Sequence, residues 1–405
     1  MKKHSPLACT AAGLMSLALA GAVHAQTVSN DVVKIGLLND QSGLFADMSG
    51  KMSIEAVKMA IDDFGGKVLG KPIQLVSADH QNKVDIGLAI ARKWYEQEGV
   101  DMILDVPNSA IALGVQELTK QMNRVAIFTS PGTSDLTGKA CSPNGVHWTY
   151  DTYAYASGAA SGVMAEGGKS WFFITSDYAF GHALERDASA VVKAQGGQVL
   201  GAIRHPIGSS DFSSYLVQAQ ASKAQVIGLA NGSADTINTM KQAREFGIGT
   251  GKQRIAALYM GINDVHSMGL AIGQDINLVE AFYWDQSPQS RQWSERFYKV
   301  AGRMPSGVQA SNYAATLHYL KAVQAAGTDE AGAVMKKMHE MKINDLMTKD
   351  GTIREDGRVM RDLYLYKIKK PSESKRPWDY YTVVRTIPAQ QAFKAPDPAC
   401  PLVKK

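Results

Sequence analysis

The sequence predicts an α/β fold in which parallel sheets are covered by helices on both faces. Three observations carry this expectation. The chain has 405 residues, 45% of them hydrophobic and 20% charged; short β-branched or aromatic runs alternate with longer amphipathic stretches; and the alternation restarts after residue 151. At roughly 100–200 residues per domain, the length allows two or three domains. With 37 Gly and 3 Cys the composition is close to the globular average, which argues against a disordered, collagen-like or disulfide-dense chain.

The first series opens with the strand-like run 32–38, followed by 73–77, 102–105 and 125–129, each separated by a helix-like segment. Residues 52–64 place Ile54, Val57, Met59, Ile61 and Phe64 near one helical face, and Gly65-Gly66 stops the helix. The second series is predicted as helix 153–166, strand 170–175, helix 182–195, strand 199–203, helix 212–221, strand 226–230, helix 234–246, and strands 255–258 and 278–284. Helices over 291–301, 308–326 and 331–341 follow, and the chain closes with strand-like runs at 363–368 and 380–386. This gives a second α/β unit.

The N-terminus reads as a secretory signal peptide. Lys2 and Lys3 precede an apolar stretch from Leu7 to Val23, and Val23-His24-Ala25 offers small residues at a cleavage point after Ala25. Cys9 precedes the apolar stretch and is badly placed for lipidation. Cleavage lowers the formal charge from +5 to +3 and leaves Cys141 and Cys400, each among turn-forming residues. In an oxidising compartment these two are expected to form one bridge that pins the C-terminal tail to the body. Charges are spread along the chain, so no basic footprint for nucleic acid exists.

The search for catalytic signatures is negative. The sequence holds no Gly-x-Ser-x-Gly, no phosphate loop ending in Gly-Lys-Ser/Thr, no His-Glu-x-x-His, and none of its 9 His falls in a metal-ligand spacing. His318 reads as an ordinary helix-face residue, and Gly247-Ile248-Gly249-Thr250-Gly251-Lys252 follows a helix, as a helix stop does and a nucleotide loop does not. No cofactor or metal is expected. The remaining polar clusters fall in loops after predicted strands, where α/β proteins hold ligands. They are Asn108-Ser109, Ser130 with Gly132 and Thr133, Asp177-Tyr178 with Phe180, Asn231, and Asn263-Asp264. Ser109 can cap its helix, whose N-terminus is a natural seat for a carboxylate.

The order of these pieces resembles the branched-chain amino acid-binding family of periplasmic solute-binding proteins, which feed ABC importers. The resemblance is carried by Lys34-Ile35-Gly36-Leu37-Leu38 with Ser42-Gly43, Asp79-His80-Gln81-Asn82, Asn108-Ser109, Ser130-Pro131-Gly132-Thr133 with Leu136-Thr137, Asp177-Tyr178-Ala179-Phe180-Gly181 and Asn312-Tyr313-Ala314-Ala315. It spans essentially the whole mature chain. It implies a type I periplasmic binding fold of two Rossmann-like lobes joined by three crossovers, closing on a ligand by hinge motion. Residues 26–149 and 284–350 would form one lobe, 150–283 and 351–390 the other, and 391–405 a tail. The protein would be a periplasmic monomer, would dock transiently on an inner-membrane ABC permease, and would be no enzyme.

The chain also departs from the amino acid-binding pattern. The family's ligand-holding Thr falls near Gly132 and its Glu falls on Asn263, with Asp264 adjacent, while Phe180 stands where a Tyr is usual. Unless Asp264 substitutes, an α-amino acid is disfavoured, because a buried ammonium without a carboxylate partner is costly. The resulting expectation is an aromatic acid such as a benzoate or cinnamate. Ser109, Ser130 and the backbone of Gly132 would hold its carboxylate, and Tyr153, Tyr178, Phe180, Tyr283 and Trp284 are candidate walls. An amino acid ligand, a sensor of the same fold, and a secreted enzyme using Asp177 and Asp264 are the alternatives.

Overall fold

A computed structural model describes residues 1, 28–249, 251 and 253–404. The signal-peptide expectation falls outside the described residues. The chain begins with β1 (Val33–Asn39), α1 (Gly50–Phe64), β2 (Lys67–Val68), β3 (Lys71–Asp79), α2 (Val84–Glu96), β4 (Met102–Asp105), α3 (Ser109–Met122), β5 (Val125–Phe128) and β6 (Gly145–His147). Their strands form one sheet in the order β2-β3-β1-β4-β5-β6, parallel except for β2. The alternation predicted this. Gly65, at φ 101°, ends α1 as a left-handed cap, and Gly65 and Gly66 both donate to the carbonyl of Ile61. Gly36 lets Trp94 lie on β1, since a Cβ there would stand 2.6 Å from the ring.

The second unit runs through α4 (Thr152–Ala165), β7 (Ser170–Ser176), α5 (Ala179–Ala194), β8 (Gln198–His205), α6 (Ser213–Ala221), β9 (Val226–Ala230), α7 (Ala234–Glu245) and β10 (Arg254–Ala257). It makes a parallel sheet in the order β10-β9-β7-β8. Helix α5 starts three residues earlier than the apolar pattern suggests, because extended Tyr178 serves as its N-cap residue. Next come α8 (Ile262–Met268), α9 (Leu270–Gly273) and β11 (Asn277–Glu280). The strand expected over 278–284 stops at Glu280. Beyond it, Tyr283 Oη and Trp284 Nε1 both donate to the carbonyl of Trp378, at 3.0 and 2.8 Å, and these bonds hold the segment in a loop.

Helices α10 (Pro288–Ala301), α11 (Gly307–Ala326) and α12 (Ala331–Glu340) return to the first unit, where α10 and α11 pack on α1. The hairpin β12 (Thr352–Ile353) and β13 (Val359–Met360) lies against α12. Strands β14 (Leu363–Ile368) and β15 (Tyr381–Ile387) then join β11 in an antiparallel sheet in the order β11-β14-β15, with α4 against β11 and the short α13 (Ala389–Ala392) against α4. The sequence reading did not anticipate that antiparallel sheet. The chain thus passes between the two parallel sheet systems three times. Fully buried Arg358 ties the first and third passages together by donating to the carbonyl of Tyr150 at 2.8 Å and lying 3.7 Å from the Asp151 carboxylate. The tail returns to the first unit through a Cys141–Cys400 disulfide, as the two remaining cysteines suggested.

Candidate ligand-binding cleft

The cleft is built on a buried carboxylate at the end of β4. Asp105, with no exposed surface, accepts from Ser49 Oγ at 2.6 Å, Asn312 Nδ2 at 3.0 Å, Asn39 Nδ2 and Thr129 Oγ1 at 3.3 Å, and Ser130 Oγ. Burial raises its pKa, and these hydrogen bonds pull it back. One side chain therefore ties together the ends of β1 and β5, the start of α1 and the second turn of α11. The Ser130 hydroxyl, expected to hold a ligand, is spent on Asp105.

Above this floor lies a narrow cleft lined by side chains of both parallel units. Phe45, Met48, Ser130 and Gly132 come from the first, Tyr178, Phe180, Gly232 and Tyr259 from the second, and Tyr150 from the connecting passage. Close approach requires the glycines: a Cβ on Gly132 would lie 2.5 Å from the Phe180 ring, and one on Gly232 would lie 2.8 Å from Tyr259. The rings of Phe180 and Tyr259 meet edge to face at 5.7 Å. Across the cleft Tyr259 Oη approaches Met48 Sδ at 2.6 Å, and Tyr150 Oη donates to the carbonyl of Ser130 at 2.9 Å.

A second small cavity adjoins the first, sharing Met48, Tyr150 and Tyr259, and continues to Asn263, Asp264, Glu280, Ser306 and Gly307. Asp264 accepts from the backbone N–H of Gly261 at 2.9 Å, and burial pushes its pKa up to about 6. Glu280 is also buried, and desolvation together with neighbouring Asp264 drives its pKa well above the carboxylate range. Asn263 Nδ2 reaches across to the carbonyl of Asp47.

The other expected site residues lie elsewhere. Asn108 caps α3 by accepting from Ala110 and Ile111, so the helix N-terminus proposed as a carboxylate seat is already filled. Ser109 Oγ accepts from the Thr133 N–H at 3.3 Å, and Thr133 caps the following 3₁₀ turn. Tyr153 lines a separate hollow between α4 and α5. Exposed Asp177 bonds His182 at 2.7 Å, so it is no partner of buried Asp264. Asn231 is buried in a network with His205, Thr236 and Thr239. Tyr283 and Trp284 pack on the 378–381 loop. Sequence reasoning missed Phe45, Met48, Tyr150 and Glu280 as cleft residues. A larger hollow of about 400 Å³, lined by α10, α11 and residues 342–346, contains none of the strand-end residues.

Two parallel α/β units that bring aromatic side chains together across a narrow cleft define a ligand-clamping protein. The chain belongs to the type I periplasmic binding proteins of the branched-chain amino acid-binding family: it matches the family described as "Periplasmic binding protein" over residues 32–375. It is similar to a periplasmic binding protein of Burkholderia mallei, with 50% identity, a TM-score of 0.91 and coverage of 92% of this chain and 100% of that one. A branched-chain amino acid ABC transporter periplasmic ligand-binding protein of Burkholderia xenovorans shares 41% identity over 90% of this chain and 97% of its own, with a TM-score of 0.79. The "Leu/Ile/Val-binding protein homolog 6" of Brucella suis is 26% identical over 92% of this chain and 94% of its own. The family is one of periplasmic substrate-binding proteins that work with ABC permeases, and it is not one of enzymes. No helix among the described residues is long and apolar enough to cross a membrane.

Proposed function

We propose that this protein is the exported substrate-binding component of an ABC importer, and that it closes its two lobes on a small ligand with an apolar, ring-like body. The observation that carries this reading is the cavity formed by Phe45, Met48 and Gly132 on one side and Tyr178, Phe180 and Tyr259 on the other. Flat aromatic walls held at close spacing favour an apolar or aromatic group over an extended polar one. The aromatic body expected from the sequence stays in this reading. Of the carboxylate seat expected at Ser109, Ser130 and Gly132, Ser130 drops out, because its hydroxyl is given to Asp105, and the start of α3 is capped by Asn108.

In this reading residues 28–149 and 284–360 move as one lobe and 150–283 with 361–390 as the other, the last crossover lying past the β12–β13 hairpin and not at the expected 350/351 boundary. Packing of that hairpin on α12 supports the shift. Mass spectrometry of small molecules released from the purified, denatured protein identifies the ligand class. Small-angle scattering with the released compound added back should show a decrease in radius of gyration, and Phe180→Ala should abolish it. A compound that binds without compaction and independently of Phe180 would refute the clamp.

A further inference from the structure

We infer that the ligand of this cleft carries a net positive charge, as an amine, amidine or guanidine, and that Asp264 and Glu280 receive that group. The inference rests on the cavity being the ligand site. It departs both from an aromatic acid and from a zwitterionic amino acid.

The second cavity carries two acidic side chains on its polar wall. Glu280 and Asp264 are 5% and 8% exposed, and neither forms an ion pair with any described residue. Both carboxylates flank one point: a Cβ on Gly261 would lie 3.5 Å from Oε1 of Glu280 and 3.8 Å from Oδ2 of Asp264. Gly307 leaves room on the other side, since a Cβ there would stand 3.0 Å from Oε2 of Glu280. A third acceptor is independent of the acids. Asn263, 3% exposed and lining the same cavity, has an Oδ1 with no hydrogen-bond partner, while its Nδ2 is taken by Asp47.

The hydroxyl donors on this wall are already engaged within the protein. Ser306 Oγ donates to the carbonyl of Met48 at 2.7 Å, Tyr150 Oη to Ser130, and Tyr259 Oη approaches Met48 Sδ. The Gly261 N–H is given to Asp264. Arg303, beside the mouth, is held by Asp47 at 3.0 Å and lies over the Trp378 ring. A charged buried carboxylate pair is costly; protonation relieves it in the free protein, and a positively charged donor would relieve it in a complex. The faces of Tyr150 and Tyr259, which border the same space, add a favourable quadrupole for a cation. An anion here would face two buried acids, and the cation beside the mouth, Arg303, is paired with Asp47. A zwitterion would bring a carboxylate toward two others.

The test uses the purified full chain and matched probes: phenethylamine and benzamidine, phenylalanine, benzoate, and the isoamylamine–leucine pair. Isothermal titration and thermal shift should show the amines and amidine binding, with phenylalanine and leucine at least tenfold weaker than their amines and benzoate not binding. Glu280→Gln and Asp264→Asn should each weaken the amines at least tenfold without lowering the melting temperature of the free protein. Failure of every amine and amidine to bind overturns the inference, as does benzoate or amino acid binding equal to or tighter than that of the amines. Benzoate binding that Phe180→Ala removes would reject the charge assignment and keep the cleft. Amine binding that needs Glu280 but not Phe180 would keep the charge assignment and reject the aromatic clamp.

Discussion

Gly132 shows how much one missing side chain decides. Its sequence context suggests a backbone that approaches the ligand, but in the structure the Phe180 ring from the opposite unit occupies the space a Cβ would take, 2.5 Å away. Gly132→Val should therefore hold the lobes apart, weakening ligand binding by more than tenfold in calorimetry while far-ultraviolet dichroism stays unchanged. Asp264 carries a pH signature. Burial raises its pKa to about 6 from an unfolded value of 3.8, so between those values the folded state binds more protons and this residue's contribution to stability falls as pH rises. Asp264→Asn should accordingly stabilise the free protein above pH 6, by roughly 1–3 kcal/mol, and the advantage should vanish near pH 4. A constant difference across that range, read from urea midpoints, would contradict the assignment. The sequence exposed Asp264 as a candidate because it follows a strand. It could not expose Glu280, because nothing in a chain of residues says that the end of β11 faces the Met260-Gly261 turn.

At the scale of elements, helix ends were legible and side-chain partners were not. Gly65-Gly66 reads as a helix stop, and Gly65 caps α1 in the left-handed conformation; the structure adds Ser306 and Gly327 as the caps of α11 and starts α10 at Pro288, three residues before the expected 291. The cap of α3 is a sharper case. Asn108 and Ser109 are both good N-cap residues, and only the folded chain assigns the cap to Asn108, which frees Ser109 to bond Thr133. Asn108→Ala should cost about 1 kcal/mol of stability, whereas Ser109→Ala, which breaks a 3.3 Å bond, should cost less. Equal losses in chemical denaturation would count against this division. Strand 278–284 was misjudged in length for a related reason. Its apolar residues match a buried strand, but Tyr283 and Trp284 are buried by a loop more than ninety residues away.

At the scale of the whole molecule, contacts between the two units set how readily it closes. Arg186 on α5 donates to Asp135 at 3.0 Å and Ser134 Oγ at 2.7 Å, and Ser134 Oγ in turn donates to Asp187 at 2.8 Å, so this cluster links the two units away from the aromatic cavity. The pair is half-exposed, so Arg186→Ala should weaken every ligand by a common factor of roughly two to five, the size of about 0.5–1 kcal/mol. Scattering of the free variant should show a larger radius of gyration, and a change in ligand ranking would argue against a purely conformational role. The Cys141–Cys400 bridge closes a loop spanning 259 positions. Its removal in Cys400→Ser should lower stability by roughly 2–5 kcal/mol, measured against the oxidised wild type.

The sequence by itself determined the alternation of strands and helices, the helix stops, the pairing of the two remaining cysteines and the resemblance that placed the family, because these depend on local periodicity, backbone preference and order along the chain. The tertiary structure alone decided which loop residues face the cleft. Ser130 turns to Asp105, Tyr153 to another hollow, and Tyr150, Met48 and Glu280 enter from segments that no local pattern links. The physical reason is that a ligand site is defined by which donors and acceptors remain unpaired after folding, and that is known only when every internal partner has been found.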